Sequence, residues 1–314
     1  MNKTIELSNS FRAMNTDIKA VICVPEGSRG KGERSLQKAK IMFHLLEMTF
    51  SRFLPDSELT LLNASAGRSF TATPLLFGVI AAALDAARLT DGIFDPTLLP
   101  EIIAAGYDRS FEKLSESKPE NHPQSIKRNN VWQDIRLDPT ESKIWLPKGC
   151  QLDLGGIAKG WSVDSVGDGF KSFTGFALDA GGDICVSGRQ ACGIPWTVGI
   201  ANPFENEQDM KVIEVDSGCV CTSSTMKRRW QRNGAWQHHL IDPRTGKPSS
   251  SGVVSATVIS SSAVLAEIIA KAALILGLEE GLNLIDRQPE TSGLLVLENR
   301  QVVESSDFPA KVYA

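Results

Sequence analysis

The chain is organised around the segment Leu152-Asp-Leu-Gly-Gly-Ile-Ala-Lys-Gly160. An apolar run precedes Asp153, two glycines follow it, and Lys159 stands in the first turns of a predicted helix. Glycines at such a junction let backbone N–H groups approach an anion, and a helix N-terminus favours negative charge. The spacing fits neither the dinucleotide-binding fingerprint nor a Walker loop, because Trp161 follows Gly160 where a P-loop has lysine. The alternative is a plain tight turn in which Asp153 and Lys159 form an ion pair or a helix cap.

Composition bounds the class of protein. With 314 residues, of which 42% are hydrophobic, the chain can bury one large core or two modest ones. No segment reads as a linker, so we expect a single domain over residues 1–314. The net charge of -4 and the lack of a long Lys/Arg cluster argue against a nucleic-acid partner. No apolar leader or membrane-length apolar run is present, which predicts no membrane segment and a cytoplasmic protein.

The six cysteines show no CxxC spacing. Cys219 and Cys221 alternate in a predicted strand, a pattern that implies neither a metal site nor a bridge. We therefore expect small buried thiols in a reducing compartment.

Hydrophobic periodicity predicts helices alternating irregularly with strands. Loose alternation over 11–24 predicts a first strand with Met14-Asn-Thr16 near its start, and the polar run from Glu26 predicts a loop. Apolar residues at helical spacing (Ile41, Leu45, Met48) predict an amphipathic helix over about 35–50. Further segments predict helices over 74–89, 161–173 and 264–278, a hairpin over 132–146 and several strands between 176 and 297. Residues 107–130 are polar and are interpreted as an insertion or mobile surface loop.

Several turns carry groups that could do chemistry. His239 lies in a turn segment with Asp242 and Arg244, where an imidazole could remove a proton from a hydroxyl or simply bond to backbone. Asp179 and Asp183 flank a Gly-Gly turn and are interpreted as turn-stabilising acids. Thr222 and Ser223 could donate hydroxyl hydrogen bonds to phosphate or simply end a strand.

The helix over 264–278 contains two charged residues, Glu267 and Lys271, spaced four apart and therefore on one face. The rest of this helix is apolar enough to be buried, and a buried charge is costly unless it is paired. The two side chains are either a simple ion pair or two groups that face a ligand pocket.

Taken together, these segments resemble the ApbE family, the FAD:protein FMN transferases. The resemblance runs from about Met14 to Gly277 and rests on the following segments in the family's order: Met14-Asn-Thr16, Ser51-Arg-Phe-Leu-Pro-Asp-Ser-Glu-Leu59 with Asn63, Gly92-Ile-Phe-Asp-Pro-Thr97, Leu152 to Gly160 with Asp164, Asp179-Ala-Gly-Gly-Asp183, Thr222-Ser223, and His239-Leu-Ile-Asp-Pro-Arg-Thr-Gly246. It implies an α+β fold with mixed or antiparallel sheets flanked by helices. It also implies that FAD and Mg²⁺ bind, and that FMN moves to a Thr or Ser hydroxyl of an acceptor flavoprotein with release of AMP.

The resemblance assigns expected roles residue by residue. Met14 and Phe53 would contact the flavin or adenine end of FAD, with Phe53 where the family often has tyrosine. The following residues would line or hold the rest of FAD: Ile93, Phe94, Asp95, Asp153, Lys159 and Ile241. Gly156 would offer its carbonyl, and Glu267 its carboxylate, to the metal. His239 would activate the acceptor hydroxyl.

The departure from the family pattern falls on the metal. Where the family has Ala-Asp-x-x-x-Thr, this chain has Ala266-Glu-Ile-Ile-Ala-Lys271. Glu267 still offers hard oxygens to Mg²⁺, whereas a protonated Lys271 has no lone pair to donate. We hypothesise that Lys271 lies near the magnesium position, paired with Glu267, and contacts the FAD diphosphate. The alternatives to a transferase are a catalytically impaired FAD-binding protein of the same fold and an FAD pyrophosphate hydrolase.

Overall fold

The computed structural model describes residues 3–114, 131–205, 208–232, 234–309 and 312–313. The helices are α1 (Arg29–Phe50), α2 (Glu58–Ala64), α3 (Pro74–Leu89), α4 (Leu99–Ala104), α5 (Phe111–Leu114), α6 (Ala158–Asp168), α7 (Ala263–Leu276) and α8 (Leu278–Asp286). The strands are β1 (Thr4–Ala13), β2 (Thr16–Pro25), β3 (Ser69–Thr71), β4 (Arg136–Asp138), β5 (Lys143–Trp145), β6 (Gly175–Ala180), β7 (Ile184–Gly188), β8 (Trp196–Ala201), β9 (Asp209–Val215), β10 (Ser217–Ser224), β11 (Arg229–Arg232), β12 (Ala235–His238), β13 (Ile241–Asp242), β14 (Lys247–Pro248), β15 (Val253–Ser260), β16 (Ser292–Leu297), β17 (Val302–Glu304) and β18 (Val312–Tyr313).

An eight-stranded sheet forms the centre of the fold, in the order β1-β2-β6-β7-β10-β15-β16-β17. Every neighbouring pair in it is antiparallel. Helices α1, α6 and α7 cover one face through a core that includes Phe43, Val163 and Ile269. Strands β8 and β9 pack on the other face through residues such as Trp196 and Ile213. The expected α+β class is confirmed, with helices and a smaller sheet burying the two faces of an antiparallel sheet.

Helices α6 and α7 approach each other closely at Gly160. A Cβ added there would lie 2.6 Å from the carbonyl oxygen of Ala263, so only glycine allows this contact. The carboxylate of Asp164 fixes the start of α7, because it accepts hydrogen bonds from Ser262 Oγ at 2.7 Å and from the backbone N–H of Ala263 at 2.8 Å. These contacts set the position of Glu267 and Lys271 against the Gly155-Gly156 turn.

The N-terminal region differs from the predicted single strand. Strands β1 and β2 form a hairpin in which Ala13 pairs with Thr16. Met14 and Asn15 are its turn residues, with φ of 53° and 56°. This positive-φ pair is the backbone of a tight two-residue hairpin turn, which the loose alternation of the sequence concealed.

Helix α1 also departs from prediction. It begins at Arg29, inside the segment predicted as a polar loop. The stripe used to predict it points outwards: Ile41 is 59% exposed and Met48 65% exposed. The buried stripe is a second one, with Leu36, Phe43 and Leu46. The helical period was correct, but the face assigned to the core was wrong.

The expectation that all the cysteines are free thiols is wrong for one pair. Cys185 and Cys219 form a disulfide with a Cα–Cα distance of 4.1 Å. The two residues are direct partners across β7 and β10, which places their side chains on the same side of the sheet. Cys23 and Cys221 are buried free thiols, as expected, Cys150 is buried, and Cys192 is exposed.

Two further predictions concern the surface and the membrane. Of the predicted insertion at 107–130, residues 115–130 lie outside the described part of the chain, and Tyr107 in the described part is buried. Among the described residues, none of the helices is both long enough and apolar enough to cross a membrane.

Candidate active site

One cavity collects most of the predicted site residues from segments far apart in the chain. Its volume is about 550 Å³, within the usual range for small-molecule sites. The predicted residues that line it are Met14, Phe53, Ile93, Phe94, Asp95, Asp153, Gly156, Lys159, His239, Ile241 and Lys271. Glu267 lies behind this wall, next to Lys159.

The wall around Phe53 is aromatic. The Phe53 and Tyr107 rings lie 5.7 Å apart, and the Tyr107 ring lies 5.5 Å from Trp230. The guanidinium of Arg52 stacks over Phe53 at 4.1 Å and donates a hydrogen bond to the carbonyl of Tyr107 at 2.8 Å. Aromatic faces beside a fixed cation suit a flat heteroaromatic ring.

Asp153 is engaged by the protein itself. Its Oδ1 lies 3.2 Å from Nε of Arg52 in a largely buried ion pair, and it also accepts a hydrogen bond from the N–H of Gly155 at 3.3 Å. The glycine turn therefore directs at least one of its amides to an internal carboxylate. Gly160 behaves likewise, because its N–H donates to Oε2 of Glu267 at 2.8 Å.

Lys159 lies between two carboxylates. Its ammonium forms an ion pair with Asp183 and lies 3.5 Å from Oε1 of Glu267. Both acids are buried. The positive charge of Lys159 is thus neutralised inside the protein, even though the residue lines the cavity.

Lys271 is placed differently. Among the described residues, none makes a hydrogen bond or an ion pair with its ammonium. Nζ lies 5.7 Å from the centre of the Phe94 ring. It also lies against Gly156, because a Cβ added to that glycine would collide with Nζ. Burial lowers the pKa of Lys271, while the charges of Glu267 and Asp153 act in the opposite direction. Lys271 thus lies against the glycine turn, and its predicted ion pair with Glu267 is not formed among the described residues. Its placement near the magnesium position stays a prediction.

His239 is held as a neutral base. Its Nδ1 is buried and has no hydrogen-bond partner among the described residues, and its ring meets Tyr107 edge-on at 6.3 Å. Burial lowers the pKa of His239 well below the ordinary value, and the positive charges of Lys271 and Arg228 lower it further. The imidazole is therefore deprotonated at neutral pH and able to accept a proton.

Comparisons with known proteins identify the family. The model of the ApbE family matches residues 14–295.

The chain belongs to the ApbE family.

Two relatives carry the name FAD:protein FMN transferase. The Treponema pallidum protein is 27% identical over 298 residues, which cover 88% of this chain and 81% of the relative. The Vibrio cholerae protein is 27% identical over 241 residues, 74% of this chain and 70% of the relative. The ApbE protein of Thermotoga maritima has the same fold, with a TM-score of 0.82 at 24% identity, covering 96% of this chain and 97% of that one.

The donor set at the expected magnesium position of this ApbE-family chain does not suit a divalent cation. Both oxygens of Glu267 are engaged by Lys159 and Gly160, and an ammonium lies against Gly156. A cation that prefers six or more oxygen ligands would meet a positive charge instead. In the described part of the chain, the one close group of three His, Cys, Asp or Glu side chains is that of Asp164, Cys185 and Cys219. Its two cysteines form a disulfide, and none of the three residues lines the cavity.

Other groups singled out from the sequence are engaged within the protein itself. Thr222 Oγ1 hydrogen-bonds Oγ1 of Thr257 across the sheet at 2.8 Å. Asp179 accepts a hydrogen bond from the N–H of Gly182 at 2.8 Å, as expected for a turn acid. Asp95 accepts from the N–H of Thr97 at 2.7 Å and from its hydroxyl at 2.6 Å, and burial raises its pKa. Phe94 lines the cavity and is 3% exposed.

The residues of the cavity wall that sequence reasoning missed include Arg52, Tyr107 and Arg228. Arg52 belongs to the segment Ser51 to Leu59, which carried the family resemblance, and it directly precedes Phe53. Its position next to Phe53 in the sequence could therefore have indicated that it lines the cavity. Tyr107 and Arg228 come from segments with no motif, and they meet only through the fold. A hydrogen bond from Arg228 and the positive charge of Arg52 partly offset the increase that burial causes in the pKa of Tyr107.

Proposed function

We propose that this chain is an FAD:protein FMN transferase, which moves FMN from FAD to a threonine or serine hydroxyl of an acceptor flavoprotein and releases AMP. The observation that carries the proposal is one cavity in which an aromatic wall, the ammonium of Lys271 and the neutral imidazole of His239 meet. That ammonium makes no ion pair or hydrogen bond with the described residues. Family membership and the names of the relatives support the same activity.

In the proposed reaction each part of the cavity has one task. The ring system of FAD packs on the wall formed by Phe53 and Tyr107, and the diphosphate lies near Lys271. The imidazole of His239 takes the proton of the acceptor hydroxyl as its oxygen attacks the phosphorus of the FMN half. Phosphoryl transfer depends mainly on positioning and on neutralising phosphate charge, and this cavity offers both.

Transfer to a purified acceptor tests the proposal. The protein would be incubated with FAD and an unflavinylated flavoprotein that accepts FMN on threonine, once with Mg²⁺ and once with EDTA. We expect a fluorescent acceptor band on a denaturing gel, an equal amount of AMP, and loss of the band in His239→Ala. AMP release without a flavinylated acceptor would indicate a pyrophosphate hydrolase instead. FAD binding with no product in either buffer would contradict a transferase.

A further inference from the structure

The ammonium of Lys271 differs from the other basic groups placed around the glycine turn. Lys159 is neutralised by Asp183 and Glu267, and Arg52 by Asp153 at 3.2 Å. Across the described residues, Lys271 Nζ makes no ion pair or hydrogen bond and lines the cavity. Its positive charge is therefore available to a ligand.

The placement of this charge is costly for the unliganded protein. Lys271 is half-buried on a helix whose neighbouring residues Ile268, Ala272 and Leu274 are buried and apolar. An ammonium with no partner in such surroundings loses hydration without gaining an ion pair. A bound anion would supply the missing partner.

The contact between Lys271 and Gly156 indicates where such an anion would bind. The ammonium fills the space in which a side chain at position 156 would stand, so it lies directly against the backbone of the glycine turn. The family resemblance assigns the carbonyl of this same glycine to the metal, so a fixed positive charge lies beside an expected metal ligand.

We propose that Lys271 replaces the divalent cation in this chain, so that its ammonium binds the diphosphate of FAD and both FAD binding and FMN transfer proceed without a metal ion. The inference rests on the proposed function, because it identifies the diphosphate of FAD as the anion. A hydrogen bond to a charged group contributes about 1.5–3 kcal/mol, which corresponds to roughly tenfold to a hundredfold in affinity.

The transfer step balances without a metal. The oxygen of the acceptor hydroxyl forms a bond to the phosphorus of the FMN half, and its proton passes to the imidazole of His239. The bond between that phosphorus and the bridging oxygen breaks, and its electron pair leaves with AMP. Lys271 offsets the charge that develops on the bridging oxygen and keeps its own protons. No oxidant, reductant or further reactant is required.

The first test compares buffers and needs no variant. FAD affinity of the whole protein would be measured by flavin fluorescence in EDTA and in excess Mg²⁺. We expect the two dissociation constants to agree within about twofold. A dissociation constant tenfold or more lower in Mg²⁺ would overturn the proposal.

The second test compares variants and probes. Lys271→Met removes the charge but keeps much of the side-chain volume, Lys271→Thr supplies the hydroxyl of the family pattern, and Lys171→Met removes an exposed lysine as a control. We expect Lys271→Met to weaken FAD binding about tenfold or more while riboflavin, which lacks phosphate, binds as before. We expect Lys271→Thr to recover FAD binding only in Mg²⁺, and Lys171→Met to match the parent protein. Unchanged FAD affinity in Lys271→Met would overturn the proposal.

The transfer assay separates failure of this inference from failure of the proposed function. Flavinylation of the acceptor in Mg²⁺ but not in EDTA would overturn the role of Lys271 and leave the transferase intact. Metal-independent FAD binding without flavinylation in either buffer would overturn the transferase, and the binding role of Lys271 would stand. Absence of FAD binding in both buffers would overturn both.

Discussion

The carboxylate of Glu267 in α7 lies 3.5 Å from the ammonium of Lys159 in α6, although Lys271 lies only one turn further along α7. Its second oxygen accepts the N–H of Gly160 at 2.8 Å. Glu267 thus joins α7 to α6, and no carboxylate of the described residues forms an ion pair with Lys271. The unpaired charge in the cavity follows from this choice of partner.

We expect Glu267→Gln to destabilise the fold by about 1–3 kcal/mol, because it weakens the buried contact with Lys159 and leaves that ammonium with Asp183 alone. Urea unfolding followed by circular dichroism measures the change. Glu33→Gln, which removes an exposed ion pair with Arg29, is the matched control and should change stability by less than about 1 kcal/mol. Equal effects of the two substitutions would show that the buried cluster does not link α6 to α7.

Gly160→Ala should destabilise the fold by about 1–3 kcal/mol, because its Cβ would lie 2.6 Å from the carbonyl oxygen of Ala263 and push α6 away from α7. Gly30→Ala in α1 is the control. Its Cβ would meet only the end of the Arg34 side chain at 3.5 Å, so the better helix propensity of alanine should stabilise the protein by about 0.5–1 kcal/mol. Thermal unfolding of the two variants should therefore shift in opposite directions, and a shift of both in one direction would contradict the packing argument.

The order of the helices and central strands could be predicted from hydrophobic periodicity, but which face of a helix is buried could not. Helix α1 carries two apolar stripes, and the one with Ile41 and Met48 faces outwards whereas the one with Phe43 is buried. Nothing local distinguishes them, because the choice depends on which stripe meets the sheet. The Met14 turn was missed for a related reason: a positive-φ turn without glycine has a weak sequence signal.

The residues of the cavity could be predicted from motifs, but their partners could not. The spacing of Glu267 and Lys271 favours an ion pair within one helix, and the fold supplies Lys159 as a competing partner from 108 positions earlier in the chain. Tyr107 and Arg228 meet in the same way, across two segments that show no common pattern. Contacts of this kind are decided by tertiary packing, which no local sequence window contains.

Phe53→Ala should weaken riboflavin binding roughly threefold to tenfold, because it removes an aromatic face that lies 5.7 Å from Tyr107 and is 36% exposed. Phe53→Tyr should keep the affinity, since it retains the ring. Leu61→Ala removes an exposed apolar side chain outside the cavity and serves as the control. Fluorescence titration with riboflavin measures all three, and an effect of Leu61→Ala equal to that of Phe53→Ala would argue against flavin packing on this wall.

The pH dependence of transfer should report the charge of Lys271 on His239. Burial lowers the pKa of His239 well below its ordinary value, and Lys271, Arg228 and His238 lower it further, in that order, while a backbone contact with Arg228 raises it. A general base acts in its neutral form, so transfer should persist into acidic solution and fall only near this lowered pKa.

Lys271→Met removes one of the positive charges that disfavour the imidazolium form, so the pKa of His239 should rise towards its ordinary value. In a plot of transfer rate against pH, the fall in rate on the acidic side (the acid limb) should then move to higher pH. Single-turnover transfer at saturating FAD measures this shift separately from weaker binding, and Lys171→Met should leave the limb in place. An acid limb that stays fixed, or moves to lower pH, in Lys271→Met would mean that the base which limits transfer is not the imidazole beside this ammonium.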